Sequence, residues 1–377
     1  MKKILIASTA LVAAGLMTAG PAAASEKIKL NLGGYSKWWM VGAWQEGSYE
    51  AGTGVEYANV DIKGDNEIFF AGDTKLDNGM MVGVQVELEA GGDAVGNDRI
   101  DKSYVYVSGG FGKVILGSEA NGTALLHVMA PEAAANNDAD GVLTGGWAIS
   151  RPANVSRVVA TVIDTDAEAE GITYVAPTFY GLTIGGSYKP SATEDSRAAE
   201  RAQEIYGIGA LYAREFGPVG LKVSAGWVTY DLSTGTERSN EYSTGFQVAY
   251  SGFTLGASYR NINQNERGGL ALNAGNANNL ANSSDTQAFD VGLTYATGPY
   301  TVGAYYFKSK SPDTIATEGD DVFEVYQVSG AYNLGAGVDL LATVGHAEYD
   351  DETAAVATGD ANHNKGWAVM TGLALTF

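Results

Sequence analysis

The feature that most constrains this chain is a two-residue alternation of apolar and polar side chains that recurs along its length. Val82, Val84, Val86 and Leu88 alternate with Gly83, Gln85, Glu87 and Glu89. Tyr242, Thr244, Phe246, Val248 and Tyr250 are separated by Ser243, Gly245, Gln247 and Ala249, and Phe289, Val291, Leu293 and Tyr295 by Asp290, Gly292 and Thr294. The chain closes the same way, with Trp367, Val369, Thr371, Leu373, Leu375 and Phe377. Successive strand residues point to opposite faces, so each segment is a strand with one apolar face. A soluble sandwich alternates too, but its apolar face is a packed core of branched residues. Here large aromatics gather toward segment ends, at Tyr188, Tyr212, Tyr230, Tyr250, Tyr259, Tyr295, Tyr300 and Tyr332. That placement suits girdles at the two surfaces of a bilayer.

Connections between the segments fall into two classes that take turns. Short ones carry turn residues: Asp77-Asn78-Gly79, Gly109 to Gly112, Pro177 to Gly181, Phe216-Gly217-Pro218, Ser251-Gly252, Thr297-Gly298-Pro299 and Asn333 to Gly337. Long ones are polar, as in Gly47 to Ala58, Ser191 to Ala202, Asn263 to Ser284 and Asp350 to Asn364. One is much longer, from Gly117 to about Gly171, and a segment of that size without periodicity is usually functional. Eight long loops and seven short turns give sixteen strands: an all-β, 16-stranded antiparallel transmembrane β-barrel. Barrels of about 16–18 strands leave an aqueous channel.

The ends and the composition set the compartment. Lys2 and Lys3 precede an apolar run from Ile4 to Met17, followed by Pro21 and Ala22-Ala23-Ala24. This reads as a signal peptide over 1–24, with the barrel domain over 25–377. No later stretch offers the roughly 20 consecutive apolar residues of a membrane helix. The chain has no Cys, which excludes a disulfide framework and thiolate metal sites. Its net charge of -21 argues against nucleic acid as a partner.

Three segments carry a family likeness. Lys102 to Gly117 (KSYVYVSGGFGKVILG) resembles the strand-turn-strand of Gram-negative general porins that leads into their constriction loop. Ile172 to Tyr188 resembles the hairpin that follows that loop, and Leu30 to Tyr35 the first strand. The terminal Phe377 is similar to the signal read by the outer-membrane assembly machinery. The closest flavour is the 16-stranded porins of alphaproteobacteria. The resemblance implies a homotrimer in the bacterial outer membrane, each chain enclosing its own pore for small hydrophilic solutes and ions. It also implies that the long third loop, about 119–170, folds inward to narrow that pore. Two other readings stay open: a substrate-specific channel, for instance for oligosaccharides, and a non-conducting surface barrel.

The resemblance directs attention to charges. Acids of the inward loop would face basic residues across the constriction, with Glu132, Asp138 and Asp140 opposite some of Lys37, Lys75, Lys102, Lys189, Lys222 and Arg260. The plainer reading is that these are solvated loop and wall charges. Asn136 to Gly141 looks like the first half of a calcium loop, which makes Asp138 and Asp140 candidate ligands of a structural Ca²⁺. Trp147, however, occupies the position where a bidentate Glu belongs. Asp164, Asp166, Glu168 and Glu170 form another oxygen-rich run. Asp320-Asp321 and Asp350-Asp351-Glu352, in outer loops, could share bridging cations with lipopolysaccharide. No cofactor is otherwise indicated. His346 near Glu348 is the only pairing suggestive of catalysis, and it lacks a nucleophile. Trp38, Trp39 and Trp44 read as interface or subunit-contact aromatics.

Overall fold

The structure, a computed structural model, describes residues 27–91, 100–137, 141–193, 202–232, 238–263, 285–312 and 319–377. The segment expected to be a signal peptide lies outside them. Sixteen strands follow in order: β1 (Asn31–Gln45), β2 (Val60–Lys75), β3 (Met81–Glu89), β4 (Ile100–Gly109), β5 (Gly112–Ser118), β6 (Glu170–Val175), β7 (Leu182–Ser191) and β8 (Gln203–Phe216). The second half comprises β9 (Val219–Asp231), β10 (Ser239–Tyr250), β11 (Phe253–Asn263), β12 (Thr286–Thr297), β13 (Tyr300–Ser311), β14 (Asp321–Gly335), β15 (Val338–Asp350) and β16 (Asn364–Thr376). Each pairs antiparallel with its sequence neighbours, and β1 pairs with β16 from Tyr35–Thr376 to Gln45–Gly366, which closes the barrel. Phe377 completes the seam by exchanging backbone hydrogen bonds with Gly34, at 3.1 and 3.0 Å.

Burial is inverted relative to a soluble protein. Along β12, Phe289, Val291 and Leu293 face outward and are exposed, whereas Asp290 is buried. Aromatics flank this apolar band on both sides. Near the short turns stand Phe216, Tyr250, Phe253, Tyr300 and Phe179; near the long loops stand Trp44, Tyr242, Tyr326 and Trp367. Several rings meet directly across the ladder, with Phe253–Tyr295 at 4.4 Å and Tyr300–Tyr332 at 4.9 Å between centroids. Twelve residues, the length of β10, rise about 40 Å and, tilted by about 45°, cover about 28 Å, enough for the apolar band of an outer-membrane barrel.

Two expectations for aromatics fail. Tyr230 is not a girdle residue but faces inward and is fully buried. Trp38 and Trp44 face out, but Trp39 points into the barrel, into a buried apolar cluster with Val41, Phe307, Phe323 and Tyr349. The pleat forces adjacent residues to opposite faces. The first long loop also holds a short helix, α1 (Gly47–Thr53), ended by Gly54 at φ 68°.

A charge placed on the outward face at mid-strand tests the inversion. Val291→Arg is expected to lower barrel stability by about 2–4 kcal/mol in urea titration of lipid-refolded protein. An unchanged midpoint would mean that this face does not contact lipid.

Candidate functional site

The stretch between β5 and β6 lies against the inward face of the wall. Its backbone is held by side chains of inward parity on successive strands. Val128 N–H donates to Ser224 Oγ at 2.9 Å, Gln247 Nε2 donates to Met129 O at 2.8 Å, and Ala130 N–H donates to Asp290 Oδ1 at 3.3 Å. Further round, Gln327 Nε2 donates to Asn136 O at 3.1 Å, Asn136 Nδ2 to Thr343 Oγ1 at 3.2 Å, Ser156 N–H to Asp321 Oδ2 at 2.6 Å and Ser150 N–H to Gln45 Oε1 at 3.2 Å. Inward glycines let the two backbones touch. A Cβ on Gly245 would stand 1.8 Å from Val128 O, and one on Gly292 would stand 2.1 Å from Pro131 O.

Apolar contacts complete the attachment. Val142, Leu143, Ile149, Val155 and Val158 pack on Trp39, Phe307, Phe323 and Tyr349, so β13 and β14 carry apolar residues on both faces. Arg157 is buried over the Phe323 ring, 4.6 Å from its centroid, and donates to Thr144 O at 2.6 Å and Gly145 O at 3.0 Å. A buried guanidinium needs such acceptors, because an unpartnered charge in this setting is costly.

The acidic run at the end of the stretch pairs with wall cations one by one. Asp164 meets Arg260 at 2.7 Å, Asp166 meets Lys189 at 2.5 Å, and Glu168 meets Lys102 at 3.7 Å. Arg260 also binds Glu241, at 2.7 Å, and Lys189 donates to Glu119 O. These alternate acids, considered as possible cation ligands, thus serve as anchors. Asn121 ties the two limbs together, donating to Ile163 O at 2.9 Å and Asp166 Oδ1 at 2.8 Å.

This geometry sorts the candidate constriction residues. Arg260 and Lys189 are inward but only 2% and 1% exposed, so they hold the stretch rather than face a passage. Lys75 ends β2 beside a short turn and is exposed there. Lys222 faces in next to Gln247. Glu132 folds back on its own segment, accepting from Ala134 N–H at 2.7 Å and Asn136 N–H at 2.9 Å, and so serves as a turn cap rather than a free pore acid. Asp138 and Asp140, with the calcium idea attached to them, lie outside the described residues. Lys37 pairs with Asp65 at 2.7 Å, and Lys102 lies 3.2 Å from Glu87. Tyr35 Oη donates to Asp65 at 2.9 Å and Glu67 at 2.8 Å. The inward faces of β1–β4 therefore carry an interlinked set of Lys37, Asp65, Glu67, Glu87 and Lys102. Strand parity could have supplied Asp65, Glu67 and Glu87, which attention to the loop acids passed over. Among the described residues, Glu67, Glu89 and Asp101 bring one oxygen each within 4.8 Å, as do Asp321, Asp351 and Glu352. His346 and Glu348 sit on the outward parity of β15, and the His346 ring rests on Trp367 at 5.1 Å.

At the rim of the long loops, the last loop is folded around one ion pair. Asp360 accepts from Val356 N–H at 2.8 Å and Asn362 N–H at 2.9 Å, and its carboxylate lies 3.1 Å from His363 Nδ1. His363 Nε2 lies 3.2 Å from Asp351 O. Only an imidazolium donates from both nitrogens. Burial alone would raise Asp360, but these backbone donors and His363 hold it down to about 2. Burial alone would lower His363, but the Asp360 carboxylate raises it.

Two predictions follow from these attachments. Arg260→Met leaves Glu241 buried without its partner, a loss of about 3–5 kcal/mol. Faster protease cleavage within 119–170 and noisier single-channel current are expected, with the strand ladder intact; neither changing would refute the anchor. For the last loop, the His363 contribution is complete below the ordinary value of about 6.5 and fades as pH rises through its raised value. The Asp360 contribution is complete above its ordinary carboxylate range and fades as pH falls toward about 2. An NMR titration of His363 should give a midpoint above about 6.5; one at or below it would contradict the pairing.

Comparison with known proteins agrees with this architecture. A family model described as Gram-negative porin matches residues 7–352. A protein named monosaccharide porin, from a Halomonas species, is 25% identical over 297 residues, covering 70% of this chain and 72% of that one. The anion-selective porin from Comamonas acidovorans superposes with a TM-score of 0.57 at 15% identity, over 93% of this chain and 100% of that chain. OmpT, an outer membrane protein of Vibrio cholerae solved in a trimer form, gives 0.58 at 11% identity with the same coverage. The structural likenesses concern the fold; the family match covers most of the sequence. The chain belongs to the Gram-negative porins and forms a channel of the outer membrane.

Proposed function

We propose that the channel passes small hydrophilic solutes and ions by diffusion, without chemical change, through the part of the bore bordered by the inward charges of β1 and β2. The observation that carries this reading is the attachment of the described residues of 119–169 (119–137 and 141–169) to the inward face, from β7 round to β16 and β1. That attachment narrows the bore on one side and leaves Lys37, Asp65 and Glu67 on the other. Polar solutes exchange water for these groups, whereas apolar ones gain nothing in return. Acids outnumber bases in this set and in the whole chain, which favours cations. The relative named a monosaccharide porin supports neutral sugars among the solutes.

The same reading includes export by the segment 1–24, recognition of Phe377 by the assembly machinery, and three barrels side by side. The trimer form of the Vibrio cholerae protein supports the last of these. Of the outer-loop acids, Asp320, Asp350 and Glu352 would share divalent cations with lipopolysaccharide; Asp321 is buried and holds Ser156, and Asp351 is buried as well.

Planar-bilayer recording across a salt gradient tests the charge preference. The reversal potential should favour cations at 0.1 M and shrink at 1 M, as the Debye length falls from about 10 Å to about 3 Å. An anion-selective reversal potential would overturn this part of the proposal.

A further inference from the structure

A separate cavity of about 210 Å³ opens between the outer ends of β1 and β2, helix α1 and residues 147–150 of the inward stretch. It is smaller than the roughly 300–1,000 Å³ of sites for drug-sized ligands, and so suits a single small ring. Its lining is divided by chemistry. Val41, Ala43, Trp147 and Ala148 give one apolar side; Glu50, Asn59, Asp61 and Lys63 give a polar one. Asp61 and Lys63 pair at 2.7 Å and largely cancel, leaving Glu50 as the excess charge. Gln45 is committed, accepting from Ser150 N–H at 3.2 Å and Asn364 Nδ2 at 3.1 Å.

We infer that this niche binds a neutral, hexose-sized sugar at the mouth of the channel. A pyranose ring has a C–H face that packs on an indole and an equatorial belt of O–H donors that carboxylates accept. The acids disfavour an anion, and the apolar side gives nothing to a bare cation. The walls are already in place, which lowers the ordering cost of binding. Trp147 packs on the internal apolar cluster, and its backbone N–H donates to Val142 O at 3.0 Å. Tyr57, also in the lining, stacks on Tyr49, whose hydroxyl donates to Arg151 O at 3.4 Å. Binding of this kind is weak and reversible, so it concentrates sugar at the mouth without trapping it. The inference rests on the channel reading for the route of the sugar, not for the binding itself.

The test uses the full refolded chain in detergent and in bilayers, with D-glucose as probe. Tryptophan fluorescence should change saturably with glucose. Asp61→Asn and Glu50→Gln should each raise the midpoint about tenfold, the loss of one hydrogen bond to a charged group, with ionic conductance unchanged in Glu50→Gln. Trp147→Phe should abolish the fluorescence change while glucose still binds by calorimetry. No saturable change, saturation by lysine but not glucose, or a change that survives both carboxylate substitutions would overturn the niche. Loss of conductance with glucose binding retained would instead count against the channel reading alone.

Discussion

In hydrocarbon a backbone N–H or C=O finds no water, so every one of them must be paired within the protein. An open sheet fails this requirement along its two edges. The pairing of β1 with β16 removes both edges at once, and the reciprocal bonds between Gly34 and Phe377 carry it to the last residue. Once the ring is closed, the outward face can be apolar and the inward face polar. The inverted burial of Val291 and Asp290 follows from closure rather than from local preference.

Closure also creates an interior that must be occupied by something other than lipid. Residues 119–169 use it in three ways. Their backbone touches the wall where Gly245 and Gly292 leave room, and their apolar side chains build a small core on Trp39, Phe307 and Phe323. Their acids neutralise Arg260, Lys189 and Lys102. Breaking one partner of a buried pair costs far more than a surface pair contributes, so these anchors fix the segment where exposed charges could not. Lys37, Asp65 and Glu67, on β1 and β2, are left outside these anchors.

The strands and turns were legible because their signals are local. Alternation and residues such as Asn78-Gly79 or Gly298-Pro299 can be read without knowing the partner strand. The same alternation separates inward from outward for Lys189, Lys222 and Arg260. It could not tell covered from uncovered, because that depends on a 51-residue stretch, 119–169, with no periodicity of its own. For the same reason Glu132 passed for a pore acid, when its carboxylate closes a turn. Helix α1, only seven residues long, left no pattern to detect.

The picture of a hydrated bore inside an apolar shell is most directly tested by single-cysteine substitution along β2, since the chain contains no native Cys. In lipid vesicles, a small hydrophilic thiol reagent should modify positions 61, 63, 65 and 67 and spare 62, 68 and 70. That gives a reactivity that alternates with the pleat. Uniform reactivity, or labelling of the second set in preference to the first, would contradict it.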